Sequence, residues 1–140
     1  MTTMLKITVG PLVFKAKMEE EAAPKTCEAF KKLLPWRNKV IHVRWSGEST
    51  WIPLGDFDLG IGFENHTCYP SRGDILVYPG GLSETEVLFP YGSCAFAAKV
   101  GPLAGNHFLT VVEGQEQFPE LGRLTLWEGA QDILFEEIAD

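Results

Sequence analysis

Cysteine is scarce in this chain of 140 residues, and its three copies are poorly placed for cross-linking. Cys27, Cys68 and Cys94 are odd in number and contain no CxxC pair. That excludes a disulfide framework and a thiolate zinc site, and leaves them as small apolar residues of the interior. Basic side chains are also few, 12 against 19 acidic ones, for a net charge of −7. A nucleic-acid binder neutralises phosphates with a basic footprint. The densest basic stretch here, around Lys25, Lys31 and Lys32, falls on and around one helix and reads as its wet face. Nucleic acid and an anionic membrane surface are therefore excluded as expected partners. No apolar run reaches the length of a membrane span. The opening "MTTMLKITVG" lacks the charged head, apolar middle and small-residue cleavage site of a signal peptide, so a cytoplasmic location is expected. Internal repeats, low-complexity tracts and linkers are absent too. What is left is a single domain over residues 1–140, 45% hydrophobic, large enough to bury a core.

Hydrophobic periodicity assigns the elements. "MLKITV" (4–9) and "LVFKAKM" (12–18) alternate as half-buried strands, with Gly10 and Pro11 turning the chain between them. In "EEEAAPKTCEAFKKLLPW", Ala29, Phe30, Leu33 and Leu34 have helical spacing after Cys27, Pro24 marks the helix start and Pro35 its end. Glu19 to Glu21 in front and Lys31 and Lys32 behind suit the helix dipole. "KVIHVRWSG" then places Val40, His42 and Arg44 on one strand face, and Ile41, Val43 and Trp45 on the other. Further strands fit "STWIPL", "DILVYP", "TEVLFPYG", "CAFAAKVG", "NHFLTVVEG" and "ILFEEIA", the acidic C-terminal end reading as a strand or helix packed on one side. "DFDLGIGFENHTCYPSRG" has no core pattern and is expected to be an irregular loop over one barrel mouth. Many short strands with one or two capping helices describe a mainly β domain, whose sheet avoids exposed edges by closing into a barrel.

The order of these pieces resembles the cyclophilins. "EAAPKTCEAFKKLLP" is similar to their first helix after two strands, "VIHVR" to the strand carrying a histidine and the catalytic arginine, "GDILVYPGG" to the strand entering the groove, and "LAGNHFLTVVEG" to the closing strand. "VRWSGEST" and "GDILVYPGG" resemble more closely an uncharacterised bacterial family of minimal cyclophilin-like barrels, with an Arg-Trp-x-Gly-Glu strand and a Gly-Asp-x-x-x-x-Pro-Gly corner. The resemblance implies a closed eight-stranded cyclophilin-like β-barrel capped by helices; it implies no activity. "WSGEST" stands where cyclophilins carry an aromatic and a glutamine, and "EVLFP" where they carry a Phe-Phe segment. The proline-shaped groove is thus expected to have become a smaller, polar pocket at the barrel mouth.

Four residues are the catalytic candidates: Arg44, Glu84, Glu86 and His107. An arginine can hold a carboxylate bidentately. Glu84 and Glu86, two apart on a strand, point the same way, and paired carboxylates in a dry site push one proton affinity up into the working range. The bland alternatives are that Glu84 faces water and that Glu86 pairs with Arg44 or Arg72. His42, Trp45 and Glu48 flank Arg44 as ligand-binding candidates, the alternative being an Arg44–Glu48 ion pair with His42 stacked on Trp45 or Trp51. Gly80 and Gly81, after Pro79, would let backbone N–H groups approach a ligand, with Ser83 beside them. Tyr78, Tyr91 and Phe108 are candidates for the pocket wall or the core. No local histidine spacing supports a metal, no nucleophile elbow surrounds Ser46 or Ser83, and no cofactor is expected.

These residues point to a small-molecule enzyme or binding protein for a carboxylate- or amide-containing ligand, working as a cofactor-independent isomerase, lyase or cyclic-amide hydrolase. The alternatives are a prolyl-isomerase-like peptide-binding module, or an accessory subunit of a larger enzyme with Trp36 and Trp127 as partner contacts. Homo-oligomerisation is left open.

Overall fold

The computed structural model describes residues 2–138. Its strands are β1 (Met4–Val9), β2 (Leu12–Met18), β3 (Trp36–His42), β4 (Gly47–Gly55), β5 (His66–Thr67), β6 (Asp74–Tyr78), β7 (Thr85–Cys94), β8 (Ala97–Ala98), β9 (Gly101–Pro102), β10 (Gly105–Glu113) and β11 (Gln131–Glu137). Helix α1 spans Pro24–Lys31. Helix α2 spans Phe118–Arg123, preceded by a 3-10 turn at Gln115–Gln117 and continued by a π-helical turn at Leu124–Glu128. Eight strands run in the order β2-β1-β11-β3-β4-β7-β6-β10, and β10 pairs back onto β2, closing an antiparallel barrel. Closure leaves no unpaired edge among the eight.

Alternation decides what fills the barrel. Leu5, Ile7 and Val9 of β1, and Phe14, Ala16 and Met18 of β2, are buried, as a period of two requires. The paired residues Ile52 and Val87, and Val77 and Val87, likewise belong to the inner core. At the end where β10 begins, α1 lays Phe30 edge-on against Phe108 and Phe135, with centroids 4.9 and 5.2 Å apart. At the opposite end, Phe118 of α2 stacks on Phe14 at 5.7 Å and reaches the turn at Gly73 beside Val111. Burying each of these rings contributes roughly 1.5–3 kcal/mol. The lumen is therefore solid, and both mouths are plugged by helices.

Most expected elements fall where the sequence places them, and the exceptions have causes. β3 stops at His42, because residues 44–46 form a bend before β4. α1 has Pro24 in its first turn but ends at Lys31, and no acid lies in that first turn. Glu20 instead binds Lys31, the last residue of α1, at 2.6 Å. "CAFAAKVG" is not one strand: Cys94 ends β7, Phe96 is buried, and β8 and β9 form a separate two-stranded hairpin. The C-terminal acidic segment is a strand, β11, between β1 and β3; Ala139, at the expected strand's end, lies outside the described residues. The irregular segment after β4 packs Leu59 and Ile61 on the core. Fully buried Asn106 ties that segment to α1, donating to Thr26 Oγ1 (3.1 Å) and the Gly62 carbonyl (2.9 Å) and accepting from Glu64 N–H (3.1 Å).

Gly122 shows how tightly the plug fits. A Cβ there would lie 2.4 Å from Tyr91 Cε1. Alanine is ordinarily the better helix former by about 1 kcal/mol, yet Gly122→Ala should destabilise the protein by about 1–3 kcal/mol through overpacking. Thermal denaturation checks the sign; an unchanged or raised melting temperature contradicts the packing described.

Candidate functional site

With the lumen filled, the outer wall is where space remains. Ile41 pairs with Trp51, Trp51 with Leu88, Leu88 with Leu76, and Tyr78 with Glu86, so all these side chains leave the sheet on its outer side. Leu76, Tyr78, Leu88, Phe96 and Leu103 form a second, smaller core there. The β8–β9 hairpin covers it, pinned by Ser46, whose Oγ donates to the Ala97 carbonyl and accepts from Ala97 N–H, both at 3.0 Å. Between hairpin, wall and the bend at 44–46 lies a cleft of about 440 Å³. That volume is within the roughly 300–1,000 Å³ usual for small-molecule sites.

This cleft brings together Arg44, Trp45, Ser83, Glu84 and Glu86. Arg44 reaches it because the bend turns it to the face of Ile41 and Val43, against the strict alternation that grouped it with His42. Neither Arg44 nor Lys99 on the hairpin forms an ion pair among the described residues. Trp45 is 56% exposed at the rim. Trp51 forms part of the wall, and its Nε1–H is the one buried side-chain polar atom without a hydrogen-bond partner among the described residues. Glu86 is the central group. It is 4% exposed, and its carboxyl forms no hydrogen bond or ion pair among the described residues, neither with Arg44 nor with Arg72. Burial, and secondarily the negative charge of Glu84, pushes its proton affinity up to about 8.

The pocket is thus on the outer wall, not at a barrel mouth, and the other candidates lie elsewhere. His107, on β10, bonds Thr110 Oγ1 at 2.8 Å and lies 3.6 Å from Asp74, while Thr110 donates to Glu19. That cluster sits on another stretch of wall and adds nothing to the Arg44 cleft. His42 shares its face with Thr50 and bonds Tyr91 Oη at 2.7 Å near α2, so both belong to the plugged end. Burial raises the Tyr91 hydroxyl above its usual range. Glu48 accepts from Ser93 N–H at 2.8 Å, closing the β4–β7 ladder rather than pairing with Arg44. Phe108 is fully buried core. Tyr78 braces the glycine corner, its Oη accepting from Leu82 N–H at 3.1 Å. Gly80 and Gly81 have φ of 97° and 129°, which only glycine adopts freely, and they line an adjoining, more open hollow facing Asp56 and Asp58. Ser83 and Glu84 form the partition between the two hollows. Trp36 is half-buried against Phe30, whereas Trp127 is 78% exposed. Sequence reasoning missed Trp51 and Lys99. The strand register would have identified Trp51, as it shares a face with Glu86, but nothing local marks Lys99.

Among the described residues no three His, Cys, Asp or Glu side chains are placed to hold a metal ion, and no helix is long and apolar enough to cross a membrane. The arrangement supplies a protonated carboxyl able to give or take a proton near neutral pH, two unpaired cations and aromatic wall.

Comparison with solved structures gives the class: a cyclophilin-like barrel. McbB, solved in complex with tryptophan, superposes with a TM-score of 0.67 at 19% identity over 97% of this chain, which spans only 45% of McbB. The hypothetical protein AF2241 of Archaeoglobus fulgidus gives 0.65 at 18% identity, covering 98% of this chain and 95% of its own. A cyclophilin-type peptidyl-prolyl cis-trans isomerase of Cryptosporidium parvum gives 0.60 at 13% identity, covering 100% and 99%. These likenesses define the fold. A comparison with curated proteins finds no match. Residues 5–136 match the family described as "Protein of unknown function (DUF3830)", and the chain belongs to that family.

The raised affinity of Glu86 makes stability pH-dependent with a definite sign. Between the ordinary value of 4.5 and about 8, the folded protein keeps a proton that the unfolded chain has released. Stability from this group is full below 4.5 and is lost as pH rises to about 8. Glu86→Gln should flatten that part of the curve and be the more stable protein at alkaline pH, in denaturant titrations across the range. Parallel curves for the two proteins would contradict the assignment.

Proposed function

We propose that this barrel binds a small carboxylate- or amide-containing ligand in the outer-wall cleft and performs cofactor-independent proton transfer on it. Arg44, with Lys99, anchors the ligand's anionic or carbonyl oxygen. Glu86 gives or takes the proton. The observation that carries the reading is Glu86 itself: an isolated, buried carboxyl facing a cleft with unpaired cations. A titratable group perturbed by burial and lining a cleft is the kind of group found at functional sites. McbB was solved in complex with tryptophan, which supports a small organic ligand on this fold. The charged rim and acidic floor differ from the long apolar groove that a proline-binding module needs.

A thermal-shift panel of small carboxylates and cyclic amides tests this. At least one class should raise the melting temperature, since a ligand at about 100 times its Kd stabilises by about 2.7 kcal/mol. Arg44→Ala should abolish the shift, and Glu86→Gln should lose turnover of the ligand found. No shift across the panel, or an unchanged response in Arg44→Ala, overturns the proposal. A rate increase on proline peptides without any small-ligand binding would overturn it in favour of a peptide module.

A further inference from the structure

Resting on that reading, we infer that the ligand is an aromatic amine carboxylate, its ammonium held by Glu86 and Glu84 and its carboxylate by Arg44 and Lys99. The cleft carries charges of both signs, without ion pairs between them. Glu84 and Glu86 have no ion-pair partner among the described residues, and neither have Arg44 and Lys99, although all four line the same 440 Å³. Here Ile41, Val43, Ala97 and Ala98 provide an apolar lining in the same cleft. A ligand with a cation at one end, an anion at the other and a flat apolar body complements both pairs and covers the apolar lining, to which Trp45 and Trp51 add aromatic surface.

The acidic pair discriminates between an ammonium and a neutral amide. Burial, with the Glu84 charge second, lets Glu86 hold its proton up to about 8. A neutral amide leaves that state unchanged. An ammonium stabilises both carboxylates as anions, so binding at neutral pH expels the Glu86 proton to solvent, and the ligand's own ammonium stays protonated. The groups facing Glu86 in this balance are Glu84 on the preceding loop, Arg44 in the β3–β4 bend and Lys99 on the hairpin. Proton release on binding is therefore the signature of the inferred ligand class.

Four ligands with one ring system separate the contributions: L-tryptophan, indole-3-propionate, tryptamine and N-acetyltryptophan. Isothermal titration at pH 7 in buffers of different ionisation enthalpy gives both affinity and protons released. Tryptophan should bind about tenfold or more tightly than each of the other three, and release close to one proton. Glu86→Gln should abolish the release and bring tryptophan down to indole-3-propionate. Arg44→Ala, at an exposed rim position, should instead remove the advantage of tryptophan over tryptamine. Equal binding of indole-3-propionate or N-acetyltryptophan, or tryptophan binding without proton release, overturns this inference and leaves the carboxylate pocket standing. Failure of all four, with binding of simple carboxylates or cyclic amides retained, also overturns the inference alone. Failure of every ligand in both panels overturns the pocket as well.

Discussion

The filling of the barrel by its own aromatic side chains constrains everything else in this protein. Phe14, Phe89, Phe108, Phe118 and Phe135 are buried almost completely, and Phe30 and Phe118 are delivered by the two helices that stop the ends. A closed sheet of eight strands has only two places for a ligand, inside or on the outer face, and the packed interior leaves the second. The outer face in turn becomes a site only where something shelters it. The β8–β9 hairpin does this, held by the reciprocal Ser46–Ala97 bonds and by Phe96 seated over Leu76 and Tyr78. Remove the sheltering hairpin and Glu86 would face open water, where an ordinary glutamate ionises well below neutrality.

Strand alternation made much of the barrel legible. "MLKITV" and "LVFKAKM" write their inward faces in plain period two, and the helix with Pro24 and Phe30 announces both its start and its core contact. The second helix was harder to read. Gln115 to Glu128 follows a strand directly and is broken into 3-10, α and π turns, so no long stretch of regular spacing builds up, although Phe118, Leu121 and Leu124 are spaced as an inward face. The hairpin at 97–102 was read as part of a strand because Ala97 and Ala98 carry no polarity signal.

The candidate site was legible in part for a similar reason. Glu84 and Glu86 could be paired from spacing alone, since both lie on or beside one strand. Arg44 was grouped with His42 on the wrong face, because residues 44–46 bend and alternation ends at His42. His107 looked equivalent to the others as a polar residue at a strand end, but β10 carries it to a wall where Thr110, Glu19 and Asp74 satisfy it. Lys99 and Trp51 enter only through the three-dimensional register. Residue type identified the chemistry; which residues share a cleft depended on where strands stop.

All of the proposed chemistry depends on one carboxyl being neutral when its surroundings are at physiological pH. The direct measurement is a carbon-13 NMR titration of side-chain-labelled glutamate, with the Glu86 resonance assigned by its loss in Glu86→Gln. The account predicts a midpoint near 8 for that resonance. A midpoint at the ordinary glutamate value of 4.5 would show that Glu86 is solvated and charged, and would remove the acid from the proposed site.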